Sequence, residues 1–314
     1  MAPSIEAVGL TKRFGSFTAL DHLDLHVVGA KCVGFLGPNG AGKTTTLKMF
    51  TDLIFPNEGE AFINGVSVQK NRKRALTPCG DLIETPEIYP SLTPREALQM
   101  SGALRGMRPD EIASRTATVL AEVKMTEWID QKVGRFSKGM KQRVNIAASL
   151  LSDPEVVLLD EPSTGLDPRG MAEVRSIVRD LKRENRLIFM SSHILSEVVD
   201  VCDEVALIDR GKLLFYDTLS NVTKRLTRSA TSVELSFLGP ISDDAIQNQI
   251  APIPGITSVS RVDSQRARAV ISGGPETQAQ VLERLAVAKL GLVSFEPSQS
   301  ALEELYLQEI SKGD

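Results

Sequence analysis

The chain has 314 residues, 42% of them hydrophobic and 24% charged, a composition that fits a folded globular protein with room for two domains. Its net charge of −4, from 36 basic and 40 acidic residues, lacks the basic excess of a dedicated nucleic-acid binder. Cys32, Cys79 and Cys202 form no C-x-x-C pair, so neither a zinc site nor a disulfide framework is indicated and isolated reduced thiols are expected. The opening MAPSIEAVGLTKRF has no signal-peptide apolar run, and no stretch reaches the ~18–20 apolar residues needed to span a bilayer. A role at a membrane would therefore require a partner.

In chain order, residues 5–9 and 23–28 read as strands, the second by its apolar–polar alternation. A turn at Gly29-Ala30-Lys31 leads into residues 32–36, a short apolar run of the buried-strand type. A glycine-rich stretch over 37–42 and helical spacing over 43–53 follow. Asn64-Gly65, between two short apolar runs, signals a hairpin. Residues 93–151 are expected to be mostly helical. Thr93-Pro94-Arg95-Glu96 supplies an N-cap, a proline at the first helical position and a capping box, and Pro109-Asp110-Glu111 supplies a second start. Residues 156–159, 187–190 and 205–208 read as buried strands. The alternation predicts an α/β domain with a largely parallel sheet and a helical insert. Beyond about Lys224 the pattern becomes β-α-β-β-α-β, with strands at 232–237, 258–262, 267–271 and 292–296, which predicts a small ferredoxin-like module. The basic run at 70–74 reads as a solvated face, and Trp128 as a core residue.

Gly37-Pro38-Asn39-Gly40-Ala41-Gly42-Lys43-Thr44 fits G-x-x-x-x-G-K-[ST] and stands between a buried-strand run and a helix, the context a phosphate loop needs. Glycines let the backbone curl so that several N–H groups point into one concavity, and the helix aims its positive end at the same point. Lys43 is expected to neutralise the β- and γ-phosphates and Thr44 to ligate Mg²⁺. The strand run at 156–159 ends in Asp160-Glu161, where parallel sheets bind ligands. Asp160 is expected to hold Mg²⁺, and Glu161 to polarise the attacking water. The N-K-x-D string of switch GTPases is absent, which leaves an ATPase.

Phe136-Ser137-Lys138-Gly139-Met140-Lys141-Gln142-Arg143 lies just upstream of the acidic strand. With this string the sequence resembles ATP-binding cassette (ABC) ATPases over roughly residues 4–220. Phe14 is placed like the aromatic that stacks on adenine. Gly37, Pro38, Asn39, Gly40, Ala41, Gly42, Lys43, Thr44 and Thr45 look like Walker A, and the 156–161 run like Walker B. Glu84 stands where the family has its Q-loop glutamine. The 136–140 run is similar to the L-S-G-G-Q signature, Ser163-Thr164-Gly165-Leu166-Asp167 to the D-loop, and His193 to the switch histidine. Glu84, Lys138 and Met140 depart from the usual residues. The Glu84 and Ser137–Arg143 region looks like the subgroup of bacitracin and lantibiotic self-protection exporters.

The resemblance implies a P-loop NTPase fold of the α/β class with a helical insert subdomain at about 85–151. It implies an ABC ATPase domain over 1–224 and an accessory α+β domain over 225–314. It also implies ATP and Mg²⁺ as ligands, with Glu161, His193 and Lys43 catalytic. Phe14, the loop residues, Ser137, Lys138, Gly139, Met140 and Asp167 would contact nucleotide, and Thr44, Glu84 and Asp160 the metal. Two cassettes, a homodimer, would bury two ATPs head to tail, the signature of one facing the γ-phosphate on the other. An integral membrane permease is the expected partner and nucleic acid is not; the location is the cytoplasmic face of the cell membrane. Beyond Ser232 the chain is similar to the accessory domain of ABC-2-type exporter ATPases, with Ser300-Ala301-Leu302-Glu303-Glu304-Leu305-Tyr306 a diverged form of its closing string. Two other readings stand beside the exporter motor: a soluble ABC ATPase acting on nucleic acid or ribosomes, and a subunit that binds without hydrolysing. Glu161 and His193 argue against the last.

Overall fold

The computed structural model describes residues 2–84, 87–182, 185–226 and 230–297. The chain forms two compact units that divide between Asp217 and Thr218. In the first, β1 (Ser4–Phe14) and β2 (Phe17–Val28) make an antiparallel hairpin. Both run longer than residues 5–9 and 23–28, because register shifts between Ala7 and Arg13 interrupt the alternation that marks a strand. β3 (Lys31–Leu36) leads through the glycine loop into α1 (Lys43–Phe50). The helix stops short of residue 53: Thr51 is its C-cap and Asp52 takes a φ of 58°. β4 (Glu58–Ile63) and β5 (Val66–Ser67) form the expected hairpin, with φ of 49° at Asn64 and 70° at Gly65, the two positive values its tight turn requires. These strands make a sheet of order β2-β1-β4-β5.

α2 (Arg72–Leu76) and β6 (Cys79–Leu82) precede the helical segment of α3 (Pro94–Leu104), α4 (Pro109–Glu122) and α5 (Lys138–Leu150). Thr93 starts α3 with both halves of a capping box: its hydroxyl accepts from the Glu96 N–H, and its own N–H donates to Glu96. The chain then passes through β7 (Val156–Asp160), α6 (Pro168–Leu181), β8 (Leu187–Ser192), α7 (Leu195–Val201), β9 (Glu204–Asp209) and β10 (Lys212–Thr218). The six-stranded sheet has order β10-β9-β3-β8-β7-β6 and is parallel from β9 to β6. β3, β8 and β7 are therefore neighbours, and their carboxyl ends share the edge where open parallel sheets bind ligands.

One core joins both sheets of this unit: Ile5, Leu10 and Leu25 pack with Leu47, Met49 and Phe50 of α1 and with Val33, Leu158 and Phe189. Phe189 lies 5.2 Å from Phe35 and meets Phe50 edge-on at 6.3 Å, so the helix behind the glycine loop has a fixed seat. Two expectations are corrected. Trp128 is 36% exposed and rests edge-on against Phe136 rather than in the core, because it ends a short 3₁₀ turn on the surface. Cys32 and Cys202 are free but not isolated, their Sγ atoms being 3.6 Å apart across β3 and the end of α7.

The second unit carries α8 (Leu219–Leu226), β11 (Ala230–Phe237), α9 (Asp243–Ala245) continued by a π turn at Ile246–Ile250, β12 (Ile256–Arg261), β13 (Arg266–Ser272), α10 (Pro275–Val287) and β14 (Leu292–Pro297). Its antiparallel sheet has order β12-β13-β11-β14, so the module's first and third strands are central, as the ferredoxin-like reading requires. Val233, Leu235, Ile246, Ile250, Ala267, Ile271, Val281 and Leu285 form its own core. The 300–306 string lies outside the described residues. Among the described residues no helix is long and apolar enough to cross a membrane.

Candidate active site

The glycine loop is shaped by contacts that only glycine permits. Gly42 has φ 107°, and a Cβ there would stand 2.6 Å from the Ala19 carbonyl oxygen; at Gly37 it would stand 2.3 Å from that of Ile208. The loop is pinned at both ends: the Gly37 N–H donates to the Ser192 carbonyl (3.3 Å), and the Gly211 N–H donates to that of Ala41 (3.0 Å). Lys43 is 4% exposed, and its Nζ donates to the carbonyls of Gly37 (2.8 Å) and Pro38 (3.0 Å). The same Nζ is 3.3 Å from Glu161 Oε1.

Asp160 and Glu161 stand at the end of β7, beside this loop. Asp160 Oδ1 accepts from Ser191 Oγ at 2.6 Å and from Thr44 Oγ1 at 3.2 Å. Glu161 Oε2 accepts from Thr164 Oγ1 at 2.9 Å and lies 3.0 Å from His193 Nδ1. Burial pushes the Glu161 carboxyl up, but the Thr164 hydroxyl, Lys43 and His193 outweigh it and leave the group below the ordinary carboxylate range. It is therefore held as an anion. Phe14, Phe17, Ala19, the loop and Glu161 line one cleft of about 230 Å³. Phe14 is half exposed, with Lys12 Nζ 5.1 Å from its ring centroid.

The donor set fits Mg²⁺. Thr44 Oγ1 and Asp160 Oδ1 are hard oxygens at the spacing of neighbouring ligands on a small octahedral cation. Among the described residues there is no cluster of three or more His, Cys, Asp or Glu that could hold a metal ion. Glu84 lies on the adjoining surface, its carboxylate 2.5 Å from Lys48, one helical turn beyond Thr44 on α1. Its φ is 59°.

The structure thus brings together Phe14, the 37–45 loop, Asp160, Glu161 and His193. It does not bring the signature residues to that cleft. Ser137 caps α5, accepting from the Met140 N–H at 3.2 Å, and Lys138 lines a separate pocket with Gly165 and Leu166. Asp167 caps α6 through the Gly170 N–H at 2.9 Å. The starts of α5 and α6 adjoin: a Cβ on Gly139 would lie 3.4 Å from the Gly170 Cα. Phe17 and Ser191 carry no motif signal of their own, and Thr164 enters only as a member of the D-loop string. Phe17 pairs with Phe14 across the β1–β2 turn. Thr164 stands three residues after Glu161, and Ser191 two before His193.

The sequence profile of the ABC transporter family matches residues 20–164. The chain is 41% identical over 226 residues to the bacitracin transport ATP-binding protein BcrA of Bacillus licheniformis, covering 72% of this chain and 73% of the relative. It is 28% identical over 305 residues to the linearmycin resistance ATP-binding protein LnrL of Bacillus subtilis (strain 168), covering 96% of this chain and 97% of the relative. A solved ATP-binding subunit of an ABC transporter superposes with a TM-score of 0.63 at 28% identity, covering 71% of this chain and 92% of that one.

Proposed function

Because the chain belongs to the family of ABC transporter ATP-binding proteins, and is an ATPase of that family, we propose that it is the motor subunit of an exporter whose membrane-spanning part is a separate polypeptide. The observation that carries the catalytic part is the convergence of Lys43, Thr164 and His193 on the Glu161 carboxylate beside the glycine loop. Adenine stacks on Phe14. The loop amides and Lys43 hold the phosphates, and Glu161 takes a proton from the water that attacks the γ-phosphorus. The bond to the β-phosphate oxygen breaks, giving ADP and phosphate. His193 shares Glu161's Oε2 and is positioned to register the loss of the γ-phosphate. Thr44 and Asp160 would hold Mg²⁺, which neutralises phosphate charge when bound, and Glu84 would join them only on leaving Lys48.

Ser137 and the Gly139 N–H, at the start of α5, face the γ-phosphate of a second copy, with Lys138, Met140 and Asp167 at the same junction. Two cassettes then close over two ATPs and reopen after hydrolysis. The ATPase domain is assigned to residues 1–224, with its helical subdomain at about 85–151, and the accessory domain to 225–314.

A permease would dock on the groove between α2 and the end of α3, about 610 Å³ in volume, where Leu76, Leu104 and Met107 are rimmed by Arg72, Lys73 and Arg105. The chain would then work at the cytoplasmic membrane face. Export is supported by two relatives whose names concern bacitracin transport and linearmycin resistance. The basic run at 70–74 gives no support to nucleic-acid binding: it is an exposed stretch leading into α2, with Lys70 paired to Glu60 and Arg72 to Asp52. Affinity purification from membranes should recover an integral membrane protein with this chain. Recovery of none, together with retention on a polyanion column at moderate salt, would overturn the reading.

A further inference from the structure

Ser191 lies wholly buried at the end of β8 and is the register partner of Asp160 across the parallel β7–β8 pair. Its hydroxyl is used twice. It donates to Asp160 Oδ1 at 2.6 Å and accepts from the Glu161 N–H at 2.9 Å. Glu161 has a φ of 44°, a left-handed conformation that a side chain other than glycine holds only when its surroundings fix it. The bond to Ser191 is made by the amide of that residue. Ser191 itself is absent from the lining of the nucleotide cleft.

From this geometry we infer that Ser191 is a positioning residue for hydrolysis. One hydroxyl aims the Asp160 carboxylate at the Thr44 side and locks the turn that presents Glu161 to the attacking water. This rests on the reading of Glu161 as the base. Without the hydroxyl the Glu161 amide loses its partner and the left-handed turn relaxes. The carboxylate then swings away from Lys43 and His193, while the surface that binds ATP stays intact.

The test compares Ser191→Ala, Ser191→Thr and Ser191→Cys in the full-length chain. Ser191→Ala should lower kcat about tenfold or more, the scale of one lost bond to a charged group, with the ATP dissociation constant within about twofold. Threonine, which keeps the hydroxyl, should restore most of the turnover. Cysteine, of similar shape but a weak donor, should not, and it serves if threonine does not fit. In protein without added nucleotide, exchange of the Glu161 amide should accelerate at least about tenfold in Ser191→Ala. Wild-type kcat and amide protection in Ser191→Ala would overturn the proposal. So would equal losses in alanine and threonine variants that both unfold at the wild-type denaturant midpoint, or full turnover in the cysteine variant. Glu161→Gln is assayed alongside: if it hydrolyses ATP normally, the reading of Glu161 fails and this inference with it. If it is inactive while Ser191→Ala is normal, only the role of Ser191 fails.

Discussion

Lys43 Nζ stands 3.3 Å from Glu161 Oε1, which pairs the cation of the glycine loop with the carboxylate at the end of β7. The lysine side chain is almost wholly buried, and the glutamate is 22% exposed. On the proposed reading, a triphosphate entering the loop would compete with Glu161 for Lys43, while Thr164 and His193 would still hold the carboxylate.

Lys43→Ala removes a charge-assisted donor to the phosphates. ATP affinity should fall about 10–100-fold, from roughly 1.5–3 kcal/mol per hydrogen bond to a charged group. Equilibrium titration with a fluorescent ATP analogue measures this, and unchanged affinity would remove the phosphate-loop assignment.

Phe14 is half exposed in the cleft, with Lys12 near its ring. Phe14→Ala should weaken ATP about tenfold, within the ~1–3 kcal/mol scale of base–aromatic stacking, and leave inorganic triphosphate binding unchanged. Phe17→Ala should show the same selectivity if Phe17 shares the stack. Equal losses for both ligands would mean that the aromatic supports the loop instead of the base.

The acid limb of stability follows from Glu161. Its folded pKa lies below the ordinary value, so its contacts contribute fully above about pH 4.3, and that contribution is lost as pH falls through the folded value. The stability difference between the wild-type chain and Glu161→Gln should shrink as pH falls below about 4. Denaturant titrations across that range measure it, and a difference that grows toward acid would contradict the sign.

Phe189 contacts both Phe35 and Phe50 in the core behind the loop. Phe189→Ala should cost about 3–5 kcal/mol of unfolding free energy, the range for a large core truncation. A loss under about 1 kcal/mol in chemical denaturation would show that α1 is seated by other contacts.

Features written in neighbouring residues were legible in the sequence. Asn64-Gly65 specifies its turn, and Thr93 with Glu96 specifies its cap, because each needs only a few residues. The glycine loop and Asp160-Glu161 were legible because strand, loop and helix follow one another directly. The full lengths of β1 and β2 were hidden by register shifts that break the alternation. Ser191 was hidden for another reason: its partner Asp160 is 31 residues away, and only the pairing of β7 with β8 sets them side by side. The Cys32–Cys202 contact is equally non-local, 170 residues apart in sequence.

The proposed motor needs Glu161 to activate water in a site that a second copy closes. Size-exclusion chromatography of Glu161→Gln with Mg-ATP, with bound nucleotide and turnover measured on the same sample, tests this most directly. The expected result is a stable dimer that retains ATP and turns over about 10²–10⁴-fold more slowly than wild type. A monomer hydrolysing ATP at the wild-type rate would contradict it.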